Sequence, residues 1–503
     1  MKHSMMRVAV AATLGLSALA ANAGTLAVNI GSTLAAEYVT AAAVVAQPNL
    51  TFATSSLLVS NTAVTFHVRP SAGTMVAVPA AANIVVASSN GTIYSATNAN
   101  GSIASAATAD ADGKGYYFTV TAPSSGLPAG TTVSINQPAA PAAPATTLTG
   151  LNVALAAGGS VTAAVGYTST PGDYAGVSTW IEAPVSATIL NSAVTLSEKV
   201  TSSAAFATAE TKVVDVSTGT LTTFKNVSTS NTTGTAIINL GSVALTVNGA
   251  LKTPSGGTPA VADFGAVTVS AAGDFSAGTP SLTSDAACAT AIAGVTTTVS
   301  TDKKSVVFST IPVANIAAMS GTPAVPAYLC YTTAGAKQIQ FPVQYTIGNA
   351  STVANVAGAG AVASVSSGGN AYNLTSNGSK VFVPSFVPQT GALGTGYNTY
   401  LRIINTGIVA ADISAVAYDQ NTGAQGTPAV VAPALKPNAS VIVSTSDVTT
   451  KLGLPAGWSS LQVNGPTNAL AVQPLLVNPQ GVITNIGGVN GYTSNVGAAT
   501  GSN

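Results

Sequence analysis

Charge is what this chain has least of. Its 503 residues include 15 Lys or Arg and 15 Asp or Glu, whereas an ordinary soluble domain is about a quarter charged. Charge this sparse does little to keep copies apart, because near-zero net charge and an apolar surface both promote association. No basic tract exists, which sets nucleic acid aside as a partner. Histidine is scarcer still: His3 and His67 are the two. A Ser-His-Asp site needs a histidine base held by a carboxylate, and His67 is expected on the solvent face of a strand, beside Arg69. Aromatic residues make up 5% of the chain, too few to floor a sugar-binding cleft. Trp180-Ile181-Glu182 is the one cluster suggesting glycoside chemistry, and reads better as a core or interface Trp beside a surface Glu. The expectation is a non-enzyme.

Long apolar runs are missing beyond the first residues, so no transmembrane helix is expected. The start is different. Lys2, His3 and Arg7 precede an apolar run from Val8 to Ala20, and Ala21-Asn22-Ala23 ends it as a small-x-small cleavage site. That is the layout of a secretory signal peptide, with cleavage expected between Ala23 and Gly24. Loss of Lys2 and Arg7 leaves 13 basic against 15 acidic residues, and His67 as the histidine of the mature chain.

Cysteine occurs twice, at Cys288 and Cys330. In an exported chain the pair reads as one disulfide. Its closed loop of 42 residues corresponds to roughly 4 kcal/mol of loop-closure entropy. A metal or redox pair would want His partners or a C-x-x-C spacing, which are absent.

What is abundant is Ala, Thr, Ser, Val and Gly. Val, Ile and Thr favour strands, turn residues recur every dozen positions or so, and long charged helix formers are scarce. The composition predicts an all-β chain of several tandem β-sandwich domains. In Ala63-Val64-Thr65-Phe66-His67-Val68-Arg69 every second residue is apolar, so Val64, Phe66 and Val68 should share a core face. Asn90-Gly91 and Asp112-Gly113 read as hairpin turns. A short helix is expected over Ser446 to Leu452, opened by a Ser-Asp capping signal and closed by Gly453.

Boundaries follow from composition. Residues 1–23 are the signal and 24–136 a β-sandwich. The stretch 137–147 (QPAAPAAPATT) is a Pro/Ala-rich linker. A β domain at 148–257 precedes a β domain with the disulfide at 258–347. A flexible connection covers 348–380, a C-terminal sandwich 381–490, and a polar tail 491–503. Within 258–347, Ala327–Tyr331 and Ile339–Tyr345 look like two strands around Ala334-Gly335; within 148–257, Ile237–Leu240 and Val243–Val247 look like two strands around Gly241-Ser242.

Asp110-Ala111-Asp112-Gly113-Lys114 has the opening of a calcium loop. An EF-hand loop needs an oxygen ligand at its fifth position and Glu at its twelfth; Lys114 and Thr121 stand there. The segment is expected to be a turn, and no cofactor is assigned. Ca²⁺ binding by scattered acids such as Asp173, Asp263, Asp274 and Asp285 stays open, with no motif to support it.

Two resemblances add to this. Tyr400-Leu401-Arg402-Ile403-Ile404-Asn405-Thr406-Gly407, then Leu435-Lys436-Pro437-Asn438-Ala439-Ser440-Val441, then Trp458 and Leu475-Leu476-Val477-Asn478-Pro479-Gln480-Gly481-Val482-Ile483-Thr484-Asn485 resemble an Ig-like β-sandwich module of exported bacterial proteins. That implies a structural or adhesive module without catalytic residues. The signal peptide, Ala/Thr/Val/Gly-rich body, lone disulfide and scarcity of His and Met are together similar to surface-layer-type proteins of Gram-negative bacteria. Their Gly-Gly-x-Gly-x-Asp calcium repeats are absent here.

The resulting expectation is a secreted, non-enzymatic protein on the extracellular face of the outer membrane. It would assemble with itself into a layer, sheath or filament, with outer-membrane surface components as further partners. Edge strands lacking Lys or Pro would join copies by strand addition. The alternative is an adhesin or filament-associated binding protein. An outer-membrane β-barrel would need aromatic girdles and an aromatic-ended last strand, and the sequence ends Gly-Ser-Asn.

Overall fold

The stretch with the clearest alternation, Ala63–Pro70, lies inside a sheet. It pairs antiparallel with Tyr116–Thr121 on one side and Ser160–Thr168 on the other. The structure, a computed structural model, describes residues 24–28, 33–39, 42–46, 48–135, 150–202, 213–225, 236–348, 350–353, 368–387, 396–454, 458–486 and 492–493. The fold is all-β, with one α-helix among these residues. No helix of the described residues is long and apolar enough to cross a membrane. Two compact units emerge: the described residues up to Val194 with Ala250–Thr258, and Thr195–Gly249 with those from Pro259 onward.

The first unit is a sandwich of a six-stranded and a five-stranded sheet. The six-stranded sheet runs Leu34–Ala35, Glu182–Ala193, Ser160–Thr168, Ala63–Pro70, Tyr116–Thr121, Thr108–Ala109. The five-stranded sheet runs Thr25–Val28, Leu50–Ala53, Thr132–Ile135, Ile84–Ala87, Ile93–Tyr94. Val64, Phe66 and Val68 are buried in one core with Phe52, Phe118 and Tyr167. Phe66 stacks on Phe118 at 5.5 Å, and Phe52 meets it edge-on at 5.9 Å across the sandwich. Both expected hairpin turns form: Gly91 (φ 90°) and Gly113 (φ 66°) take the left-handed backbone that the turns require.

The boundary expected near 137–147 is corrected. That stretch lies outside the described residues, but Gly150–Val153 pairs with Ala43–Ala46 and Ser160–Thr168 with Ala63–Pro70. An interior strand must satisfy its backbone groups on both edges, and residues 24–136 supply Ala63–Pro70 with one partner only. The expected 148–257 domain is therefore divided between the two units. The signal segment 1–23 also lies outside the described residues.

In the second unit, Ile237–Val247 is one strand with a bulge between Asn239 and Gly241, correcting the two-strand reading. The Asn239 carboxamide accepts the Gly241 amide at 2.8 Å, and Gly241 (φ 146°) absorbs the bend. The strand pairs with Leu196–Ser202 and Ala327–Thr333, and Gly278–Thr283 extends the same sheet. The facing sheet runs Thr296–Val299, Ser305–Pro312, Ala266–Ala272, Val343–Ile347, Gly369–Leu374. Ala327–Thr333 and Val343–Ile347 thus belong to different sheets, so the two strands around Ala334-Gly335 form no hairpin. Phe275, Tyr331 and Tyr345 fill the space between.

The expected connection 348–380 is corrected too: Ser351–Val353 and Gly369–Leu374 are strands of that facing sheet. Residues 354–367 lie outside the described residues. In place of a wholly polar tail, Tyr492–Thr493 pairs with Ala471 and Val472; residues 491 and 494–503 are not described.

The described residues between Ser379 and Asn485 form the sandwich that the motif resemblance implied. One sheet runs Ser379–Phe386, Ser459–Gly465, Ala411–Asp419, Ala429–Leu435, and the other Ser440–Val443, Asn398–Asn405, Leu470–Val477, Ile483–Asn485. The second strand pairs with the fifth and the third with the sixth, the interlock of immunoglobulin-like sandwiches. The seventh, Leu470–Val477, departs from that pattern by pairing with the second, as do the first, which pairs with the sixth, and the fourth, which pairs with the third. Thr445–Leu452 is the helix, one residue longer than expected. Ser444 caps it by accepting the Asp447 amide, and Gly453 (φ 59°) ends it.

Candidate functional site

Several residues singled out for chemistry, His67, Arg69, Asp110, Asp112 and Trp180, meet on the outer face of the six-stranded sheet. His67 was expected in solvent but is fully buried. The reason lies in the connection after Ser160–Thr168, which lays Tyr174 and Trp180 over it. The Trp180 and Tyr117 ring centroids are 5.3 and 6.0 Å from the imidazole. Thr168 Oγ1 donates to Thr170 O at 2.7 Å, so the 3.1 Å contact with His67 Nε2 requires that nitrogen to carry the proton. Nδ1 is buried, with no hydrogen-bond partner among the described residues. Burial holds the imidazole pKa below the ordinary histidine value, against the opposing pull of Asp173.

Arg69 closes the rim. Its Nη2 donates to Asp112 Oδ2 at 2.5 Å, its Nη1 to Asp110 Oδ2 at 3.3 Å, and its guanidinium lies 5.3 Å from the Tyr174 ring centroid. Asp110 Oδ1 accepts the Tyr174 amide at 3.3 Å. Burial raises the Asp110 pKa, while the exposed Asp112 is held below the usual carboxylate range by Arg69 and the Lys114 amide. The Asp110–Asp112 turn is thus joined to the 168–182 connection by mutually paired charges. This arrangement fastens one loop to another and covers a histidine.

The other candidates are dispersed. Trp180 is half-buried and Glu182 fully buried, the reverse of the expected surface Glu. Both Glu182 carboxylate oxygens accept the Ser55 amide, at 3.1 and 3.2 Å. Asp263 closes its own turn by accepting the Ala260 amide. Asp274 is paired with Lys304 and accepts the Ser276 amide. Partial burial opposes its ionisation, but Lys304 and Ser276 prevail and hold its pKa low. Asp285 accepts the amides of Ala289 and Thr290 at 3.0 and 2.7 Å, shaping the loop that presents Cys288 (φ 61°). Cys288 is bonded to Cys330, with Cα atoms 5.9 Å apart. Among the described residues no three or more His, Cys, Asp or Glu converge as a metal site. Of the expected cleavage pair, Ala23 is not described and Gly24 is buried at the head of Thr25–Val28.

Sheet edges form the second candidate surface. Several carry a Lys, a Pro or a bulge that blocks strand addition. Ser379–Phe386 holds Lys380, Pro384 and a bulge, Ala429–Leu435 holds Pro433 and two bulges, and Gly278–Thr283 holds Pro280. Among the described edges that carry neither Lys nor Pro are Thr296–Val299 and Ser440–Val443. Thr296, Thr297 and Thr298 are exposed, and Val307, opposite Thr298, is exposed as well. Ile442 is 61% exposed and stands opposite Arg402 on the outer face. Thr296–Val299 was not singled out from sequence, although Thr-Thr-Thr-Val before the Asp302-Lys303-Lys304 turn is a strand signal.

No protein-family model matches the chain, and no curated protein matches it. Among solved structures, BcpA, the major pilin subunit of Bacillus cereus, is similar at 9% identity, with 80% of this chain and 86% of that chain covered and a TM-score of 0.21. The C-terminal domain of the Streptococcus pyogenes antigen I/II-family protein AspA gives 9% identity, 70% and 99% coverage and a TM-score of 0.24. The pilus backbone RrgB of Streptococcus pneumoniae gives 11% identity, 78% and 65% coverage and a TM-score of 0.17. TM-scores of this size do not establish a common topology, so these likenesses carry no argument about this chain.

Proposed function

We propose that this chain is an extracellular, non-enzymatic structural protein of the bacterial surface that assembles with its own copies into a layer, sheath or filament. The observation that carries the reading is the Thr296–Val299 edge, an exposed strand of hydroxyl and β-branched side chains with neither Lys nor Pro. Such an edge offers unpaired backbone groups to another strand. Ser440–Val443 offers another such edge with Ile442 exposed, so each copy presents more than one place for strand addition. Contacts between uncharged faces leave little charge to desolvate, and Thr hydroxyls satisfy polar groups with little loss of side-chain entropy.

The alternative, an adhesin or filament-associated binding protein, draws support from Phe382 and Trp458. Both are exposed on the C-terminal sandwich, at 53% and 40%, and large aromatics of this kind anchor interfaces. Negative-stain microscopy and sedimentation of the concentrated mature protein, with and without a divalent-ion chelator, separate the two. Ordered sheets or filaments are expected; a monomer at every concentration in both conditions would favour the adhesin.

A further inference from the structure

Glu182 is a carboxylate sealed inside the first unit without a cationic side chain. It is 1% exposed, accepts the Ser55 amide, lies against the uncharged Tyr167 hydroxyl, and takes part in none of the ion pairs formed among the described residues. An ionised carboxylate in such a place is costly unless an opposite charge accompanies it. Directly against it lies Gly24. A Cβ on Gly24 would overlap Glu182 Oε1, the carbonyl oxygen of Ala53 and the ring of Phe52. The Gly24 nitrogen sits about 2.5 Å from that Cβ position, hence within about 5 Å of Glu182 Oε1. Opposite charges at this range favour each other's ionised forms.

In a chain continuing through Ala23 that nitrogen is a neutral amide. In a chain beginning at Gly24 it is an α-ammonium, protonated at neutral pH. We propose that hydrolysis of the Ala23–Gly24 bond creates the missing partner of Glu182, so that a buried α-ammonium–carboxylate pair locks the mature N-terminal strand into the five-stranded sheet. The step consumes one water: a peptidase outside this chain breaks the C–N bond, Ala23 leaves as a carboxylate, and Gly24 keeps the nitrogen as an ammonium. Position 24 is glycine because Phe52, Ala53 and Glu182 leave no room for a side chain. The inference rests on the expected cleavage site and is independent of the assembly reading.

The test compares four proteins by thermal unfolding of the first unit. They are the exported mature chain, with its first residue established by N-terminal sequencing, the precursor retaining residues 1–23, and Glu182→Gln in each. Sequencing should return Gly-Thr-Leu. The mature chain should unfold at least about 2–4 °C above the precursor, and Glu182→Gln should remove that difference. Acetylation of the α-amine by an activated ester should be at least about tenfold slower in the folded mature chain than in a Gly-Thr-Leu peptide, a protection lost in Glu182→Gln. A different first residue, equal midpoints for mature chain and precursor, or a Glu182→Gln effect of equal size in both would overturn the proposal. If Glu182→Gln fails to fold, the mature-against-precursor midpoint and the acetylation rate of the unsubstituted chain decide alone.

Discussion

His67 Nε2 lies 3.1 Å from Thr168 Oγ1, and Thr168 spends its own proton on Thr170 O. Nε2 therefore carries a proton, and the second ring nitrogen is buried. Because the folded pKa is lowered by burial, the unfolded chain takes up a proton first as pH falls through the ordinary value near 6.5. Stability from this group is complete above that value and is lost below it, down to the folded pKa, at no more than about 1.4 kcal/mol per pH unit. Burial of Asp110 acts with the opposite sign, since its raised pKa favours the folded state as it protonates. Chemical unfolding of the first unit between pH 7.5 and pH 5 (roughly the histidine range) should show a smaller acid loss in His67→Gln than in the parent. An unchanged slope would place His67 in solvent.

The disulfide makes a prediction confined to the second unit. Replacing Cys288 and Cys330 together by Ser should lower its stability by about 4 kcal/mol, the loop-closure value for their 42-residue separation. Denaturant titration with and without reductant measures this. A loss below about 1 kcal/mol would mean that Asp285, which holds the Cys288 loop through the Ala289 and Thr290 amides, fixes it in the reduced chain as well.

Asn405 is the residue on which the C-terminal motif turns. Its Nδ2 donates to Val409 O and Leu435 O at 2.8 and 2.9 Å, and its Oδ1 accepts from the Gly407 amide and Thr467 Oγ1 at 3.0 and 2.8 Å. Asn405→Asp keeps the shape but turns a donor into an acceptor facing two carbonyls. The buried Leu435 carbonyl left unpaired costs about 1–3 kcal/mol, while water can reach the carbonyl of the exposed Val409. The urea midpoint of the second unit should fall accordingly. A change within about 0.5 kcal/mol, the range of an ordinary surface substitution, would show that the network is dispensable.

That motif was legible because its residues answer local needs. Gly407 has no room for a Cβ beside Thr467 and Asn468, Asn438 takes φ 57°, and Asn478 accepts the Gln480 and Val482 amides to turn the chain at Gly481. Strand class, both hairpin turns and the helix were read for the same reason: each is decided within a few residues. His67 was misplaced because its cover comes from Tyr174 and Trp180, about a hundred residues on. Glu182 was misplaced because Ser55 and Gly24 reach it from far upstream. The domain boundary failed likewise: a Pro-rich stretch resembles a linker whether or not the next strand returns to the same sheet, as Ser160–Thr168 does beside Ala63–Pro70.

Side chains that look outward on two bare strands give the decisive variant, Thr298→Lys combined with Ile442→Lys. Both positions are exposed, so each domain should keep its unfolding midpoint. Sedimentation velocity over a concentration series should show the onset of assembly shifted at least about tenfold upward, the equivalent of about 1.4 kcal/mol per contact. Assembly at the parent concentration, with both lysines in place and the fold intact, would contradict strand addition at these edges.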